Sequence, residues 1–161
     1  MIIVSDTAPL NYLILIDCQN ALSVLFGTVV IPSKVFEELQ REETPEKVRE
    51  WIASRPAWLD VRALKGGVEA VSDKIHAGER EAIALAEELH ADLLLIDDKD
   101  GRQEAEKHHL AVTGTLGVLK AAAQQNIIDL SEAIDRLRQT SFREPTRIVE
   151  EMLRQNAERS K

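Results

Sequence analysis

The chain is poor in several residue types, and each shortage excludes something. Its 161 residues include one cysteine, Cys18. A lone thiol forms no internal disulfide, so the default setting is a reducing cytoplasm. Cys18 is read as a small buried residue, and no Cys–His set with zinc-ligand spacing accompanies it. Long hydrophobic runs are missing. Leu10 to Ile16 comes closest, is marked by Asn11 and Asp17, and falls well short of a membrane span. The opening Met-Ile-Ile-Val-Ser-Asp lacks the basic region of a signal peptide. Positive charge is in deficit, with Lys+Arg 20 against Asp+Glu 28, a net charge of −8 and a pI near 5.1. That balance argues against nonspecific nucleic-acid binding. There is no P-loop Gly-Lys-Ser/Thr, and Gly114-Thr115-Leu116-Gly117 lacks the spacing of a dinucleotide fingerprint. Gly114 is read as a turn at a strand tip. Aromatic residues make up 4%, and Trp51 and Trp58 are read as packing anchors rather than base-stacking surfaces.

What is present suits a globular protein. Hydrophobic residues make up 44%, enough for one domain with a proper core. The charge is uneven. Residues 131–161 carry seven Lys/Arg against six Asp/Glu, leaving thirteen against twenty-two for residues 1–130. We therefore expect an acidic body over 1–130 and a helical extension over 131–161 packed on the same domain.

Short apolar runs alternate with helical patterns. Ile2-Ile3-Val4, Thr28 to Ile31, Leu93 to Ile96 and Ala111 to Thr113 read as strands, and Leu59 to Val61 as a short edge strand. Helices are predicted after Thr7, over Ala21–Phe26, from Ser33, from Thr44-Pro45-Glu46, over Glu79–Leu89, over Gln103–His109 and from Gly114 to about Gln125. Two amphipathic helices follow Ser131 and Pro145. Val68 to His76 is ambiguous between helix and loop, and Ile127 to Leu130 between strand and loop. Strand–helix alternation predicts an α/β fold with a parallel sheet. His108 and His109 are adjacent, face different directions on a helix, and are placed at the surface.

Four acidic stations stand out: Asp6, Glu38, Glu79 and Asp97-Asp98. Asp6 and the Asp97-Asp98 pair each follow an apolar strand. Carboxylates at strand carboxyl ends suit a hard divalent cation, and such a site can cut or transfer phosphate esters. Singly, each has an ordinary reading: a helix cap for Asp6, a first-turn residue for Glu79, a helix-face residue for Glu38 and a solvated loop for the pair. A receiver domain wants an acidic pair at the first strand, where only Asp6 stands. A haloacid-dehalogenase-type phosphatase wants a second Asp at position 8, which is Ala8.

The ordered set resembles the PIN-domain nucleases, which include VapBC-type toxins, and it looks like a poorly characterised PIN-like subgroup. The matching segments are Ile3-Val4-Ser5-Asp6-Thr7, Ile31 to Leu39, Gly78 to Ala86, Leu95 to Arg102 and Val112 to Leu119. The resemblance implies a three-layer α/β/α sandwich around a central, mainly parallel sheet. It implies an acidic quartet of Asp6, Glu38, Glu79 and Asp97. Mg²⁺ or Mn²⁺ would be held by Asp6, Asp97, Asp98 and Glu79, with Asp6 and Asp97 as direct ligands, Glu38 and Glu79 holding metal-bound water or a second ion, and one of these two accepting a proton. Glu79 stands where many members have Asp, and Glu37 and Glu81 are the alternatives if the register is shifted. Ser5 or Thr7 matches a polar residue near the first Asp. Thr7, Thr113 and Thr115 supply hydroxyls for a substrate, and Lys99, Arg102 and Lys120 supply phosphate contacts. The implied activity is cleavage of single-stranded RNA to 5′-phosphate and 3′-hydroxyl ends by a toxin component. The implied partners are a small antitoxin protein and a second copy of the chain. The competing expectation is a catalytically inactive PIN-like module that binds a protein.

Overall fold

The computed structural model describes residues 1–159. Five strands form the sheet: β1 (Ile3–Ser5), β2 (Val29–Pro32), β3 (Leu59–Arg62), β4 (Leu93–Leu95) and β5 (Val112–Thr113). Their order is β3-β2-β1-β4-β5 and every pairing is parallel. The helices are α1 (Thr7–Leu15), α2 (Asn20–Phe26), α3 (Ser33–Leu39), α4 (Glu46–Ala53), α5 (Ala77–Glu88), α6 (Lys99–Lys107), α7 (Thr115–Gln124), α8 (Leu130–Leu137) and α9 (Thr146–Arg159). The expected three-layer α/β/α sandwich is what the chain forms.

Strand periodicity explains the layers. Side chains alternate across a sheet. Ile3, Val29, Ile31 and Leu95 enter one core with Leu10, Leu13, Leu22, Val35 and Leu119. Val4, Val30, Leu94 and Ile96 enter the other, with Ile83, Leu85 and Ala105. The first core lies under α1–α4 and α7, and the second under α5 and α6. Both sheet faces are covered, so the central strands are apolar throughout rather than alternating. Leu130, Ile134 and Leu137 of α8 and Val149 and Met152 of α9 belong to the first core. Of the extension expected over 131–161, residues 160–161 lie outside the described residues.

The chain runs from β1 outward to β2 and β3, then crosses back so that β4 pairs on the other side of β1. Connections leave β1 and β4 in opposite directions, and the crevice between their carboxyl ends is where ligands enter such sheets. Asp6 N–H donates to Leu95 O at 2.9 Å and stitches the crevice floor.

Several local expectations shift. Val68–His76 forms turns rather than a helix. Its backbone is occupied from outside: Ser72 N–H donates to Glu104 Oε2 at 2.9 Å, and Arg80 Nε donates to Val71 O at 2.9 Å. Helix α6 begins at Lys99, not Gln103, because the Asp98 carboxylate accepts from Asp100 N–H and Gly101 N–H and caps it. Asp129 caps α8 by accepting from Glu132 N–H, so that helix opens at Leu130 and Ile127–Asp129 are loop. Ser33 and Thr7 are first helical residues, while Pro32 and Asp6 hold the cap positions. Trp51 and Trp58 pack ring to ring at 5.6 Å against the first core, and Cys18 is buried. His109 is exposed, but His108 is tucked between Glu87 (2.5 Å) and Glu104 (3.0 Å). Among the described residues no helix is long and apolar enough to cross a membrane.

Candidate active site

The carboxyl ends of β1 and β4, the start of α5 and the face of α3 deliver the acidic side chains to one crevice. Asp6 follows β1 directly and is buried to 5% exposure. Its carboxyl is pushed up to about 8, chiefly by burial and further by the charges of Glu79, Glu38 and Asp97; a backbone hydrogen bond at Thr7 opposes the rise. Glu38 is buried on α3. Thr7 Oγ1 donates to its Oε2 at 2.6 Å, whereas its Oε1 has no hydrogen-bond donor. Glu79 stands in the first turn of α5, and burial together with Asp98, Glu38 and Asp100 pushes its carboxyl up to about 7. Its Oε2 is buried without a donor. Asp97, one residue past Ile96, accepts from Thr115 N–H and Thr115 Oγ1, both at 2.7 Å. Burial still holds its carboxyl above the ordinary range, against the pull of those bonds and of Arg102.

Three glycines make room for three of these carboxylates. A Cβ on Gly78 would lie 2.4 Å from Glu38 Oε2, one on Gly101 2.1 Å from Glu79 Oε2, and one on Gly114 2.4 Å from Asp97 Oδ1. Gly101 stands in the first turn of α6, where the helix by itself gives no reason for a glycine. Its place there is explained by the carboxylate beside it. Gly114, expected only as a turn, does the same for Asp97.

The crevice divides into two connected clefts that share Ala8 and Tyr12. The first, of about 500 Å³, holds Asp6, Thr7, Glu38 and Glu79 together with Arg41 and His76. The second, of about 790 Å³, holds Asp97, Asp98, Lys99, Arg102, Thr113 and Lys120. Two predicted hydroxyls are already engaged: Thr7 on Glu38, and Thr115, fully buried, on Asp97. Ser5 is buried, with its hydroxyl on Asp6 O. Glu37 is exposed among Lys34 and Arg41, and Glu81 accepts from Lys34 N–H at the start of α3. Neither faces the crevice. Asp98 points outward enough to cap α6.

Sequence reasoning missed His76, Arg41 and Asp100. His76 Nδ1 accepts from Gly78 N–H at 3.4 Å and sits 3.4 Å from Glu38 Oε1. Its signal was its place just before Gly78-Glu79, at the end of the segment read as ambiguous.

The donor set is all oxygen, which suits a hard divalent cation rather than zinc. Two buried carboxylate oxygens lacking any donor, in a space where neighbouring charges repel, fit a cation as their missing partner. The side chains are not collapsed onto one point: among the described residues no three His, Cys, Asp or Glu form a ready-made cluster.

No curated protein matches the sequence. Among solved structures, the chain is similar to a PilT N-terminus domain protein from the hyperthermophilic archaeon Sulfolobus solfataricus P2, at 21% identity and a TM-score of 0.55, over 76% of this chain and 93% of that one. This likeness concerns the fold. The family model described as DUF3368, PIN domain, matches residues 2–158, so the chain belongs to the PIN-domain family.

Proposed function

We propose that the chain is a Mg²⁺- or Mn²⁺-dependent endoribonuclease that cleaves single-stranded RNA, and that it serves as the toxin component of a toxin–antitoxin pair. Membership of the PIN family suggests a nuclease-type function, and PIN domains typically use divalent metal ions. One observation carries the reading for this chain: Glu38 Oε1 and Glu79 Oε2 are buried without donors beside Asp6, whose carboxyl is raised to about 8. An apolar or merely structural pocket gives no reason to retain such groups.

Asp6, Asp97 and Glu79 would hold the ion, with Asp98 reaching it by its oxygen not engaged in capping α6 and Glu38 holding bound water or a second ion. When bound, it neutralises phosphate charge and lowers the pKa of a coordinated water. The chain's own residues do the rest. Thr115 fixes both oxygens of Asp97, and Thr7 fixes Glu38 Oε2. Those bonds orient the carboxylates before any ligand arrives. Without an ion, burial and neighbouring carboxylates push Glu79 up to about 7, so an ion held there would displace a proton. Burial of Asp6 excludes bulk water from the floor.

The test is cleavage of a labelled, unstructured RNA with Mg²⁺ or Mn²⁺ and with chelator. Asp6→Asn and Asp97→Asn are each expected to lower the rate by about a thousandfold while circular dichroism stays unchanged. The products should carry 5′-phosphate and 3′-hydroxyl ends. Equal cleavage by wild type and both folded variants would sink the assignment.

A second reading, a catalytically inactive PIN-like protein-binding module, is favoured by the lack of a collapsed ligand cluster among the described residues. It expects no rise in melting temperature with either metal. The toxin role, a small antitoxin partner and a homodimer rest on family resemblance. Growth arrest on expression, relieved by Asp6→Asn or by co-expression of a neighbouring small gene, tests the first two. Light scattering tests the third.

A further inference from the structure

Asp6, Glu38 and Glu79 line one end of the crevice, and the larger cleft beside them sets four cations next to Asp97 and Asp98. Lys99, Arg102, Lys120 and Arg143 line it. The chain has a net charge of −8, and its ion pairs draw on other cations. Among the described residues Lys99, Lys120 and Arg143 have no ion-pair partner, and Arg102 acts only through space on Asp97. Unpaired cations gathered at one place in an acidic protein call for an anion from outside.

Between these cations lies an apolar wall. Phe142 meets Tyr12 edge to face, with ring centroids 5.1 Å apart and planes at 84°. Tyr12 Oη and Ser141 Oγ share a hydrogen bond at 3.0 Å, which ties the 141–143 segment to α1. Leu116 and Ile148 continue the wall, and Ile148 is 56% exposed, one of the few large apolar side chains left open. The volume, about 790 Å³, lies within the range of small-ligand sites, about 300–1,000 Å³.

We infer that this cleft is a nucleotide subsite, in which Phe142, supported by Tyr12 and flanked by Ile148, receives one unpaired base while Lys120, Arg143, Lys99 and Arg102 hold the adjoining phosphates. The inference rests on the proposed ribonuclease reading, because the two clefts share Tyr12 and Ala8 and a strand leaving one enters the other. It adds to that reading a requirement: the base beside the cut must be splayed out, since a paired base cannot reach the ring. The cations also answer a physical difficulty. A polyanion approaching clustered carboxylates is repelled, and a neighbouring cationic wall supplies the compensating attraction. An acidic protein segment would satisfy the cations but leaves the aromatic wall without a specific role, so RNA is the occupant we commit to.

The experiment uses full-length Asp6→Asn protein and a labelled ten-nucleotide single-stranded RNA without secondary structure, with binding read by fluorescence anisotropy across salt concentrations. Phe142→Leu is expected to weaken binding about tenfold. Arg143→Ser is expected to weaken it several-fold and to lower the salt slope by about one. Phe142→Leu keeps apolar bulk against the core, and Arg143 is exposed, so at least one variant retains the fold; melting curves check both. A duplex of the same sequence should compete poorly. Unchanged affinity in both folded variants, equal binding of the duplex, or no RNA binding at all would overturn the subsite, the last leaving a protein segment as the occupant. If wild type cleaves no RNA yet the two variants weaken binding as expected, the catalytic reading fails and the subsite stands.

Discussion

The two halves of the crevice are built on opposite terms. In one, Asp6 and Glu38 are buried beside a half-buried Glu79, two carboxylate oxygens lack donors, and protons are held more tightly than usual on Asp6 and Glu79. In the other, Lys120 and Arg143 stand exposed over an aromatic wall. The first is held by backbone geometry: strand tips, helix starts and glycines that let carboxylates come close. The second is assembled from α1, α6, α7 and the segment leading into α9. Under the proposed function, chemistry that depends on placement would rest on the rigid sheet. Capture of a flexible strand would fall to exposed side chains that adjust.

The largest separation between the halves should come from Gly101→Ala. Alanine normally strengthens a helix, but here its Cβ would lie 2.1 Å from Glu79 Oε2 and 2.7 Å from Ile96 Cδ1. Both obstacles are ends of flexible side chains, so the fold persists while Glu79 is displaced. Metal-dependent turnover should fall by about a hundredfold, the order expected of a misplacement near 1 Å. RNA affinity at the second cleft should hold. A loss of both together would merge the two halves into one.

Next in size is the response of the metal-free protein to pH. Asp6 rises from 3.8 to about 8 and Glu79 from 4.5 to about 7 on folding. The folded state therefore retains protons that the unfolded chain releases, and stability declines as pH climbs from about 4 toward 8. Melting temperature without metal should be lower at pH 8 than at pH 6 by roughly 4 °C or more. Saturating Mn²⁺ should flatten that slope, and Asp6→Asn should reduce it. A flat metal-free profile would remove the electrostatic distinction between the clefts.

Thr115→Val and Arg143→Ser then compare single side chains of the two halves. The first deletes the hydroxyl that donates to Asp97 Oδ2 but leaves the backbone N–H on Oδ1. Loss of a buried partner costs about 1–3 kcal/mol, measurable by denaturant unfolding. Arg143→Ser, in the exposed half, should change stability by no more than about 0.5 kcal/mol.

Much of the first half was legible. A buried parallel strand is apolar on both faces, so the residue after Val4-Ser5 or Ile96 announces itself when it is Asp. Helix signals around Ser33 and Gly78 put Glu38 on a helix face and Glu79 in a first turn, and the family resemblance grouped them with Asp6 and Asp97. Much less could be read of the second half. Lys99, Arg102 and Lys120 could be named as phosphate contacts, but nothing local to Phe142 or Arg143 says that the segment before α9 sets them beside Tyr12, whose partner Ser141 is 129 residues distant. His76 was hidden because the turns of 68–76 take their hydrogen bonds from α5 and α6, a tertiary fact with no periodic signature. Glycine spacing could have said more: Gly78, Gly101 and Gly114 each neighbour an acidic station in the fold, but only coordinates reveal which carboxylate each admits.

The stitch from Asp6 N–H to Leu95 O, with β1 wedged between β2 and β4, makes the crevice depend on two distant parts of the chain at once. Asp97 can face Asp6 only once β4 has paired with β1, and it is steadied only when Thr115 is in place. A chain cut short before β4 therefore holds Asp6, Glu38 and Glu79 without the carboxylate that completes the set.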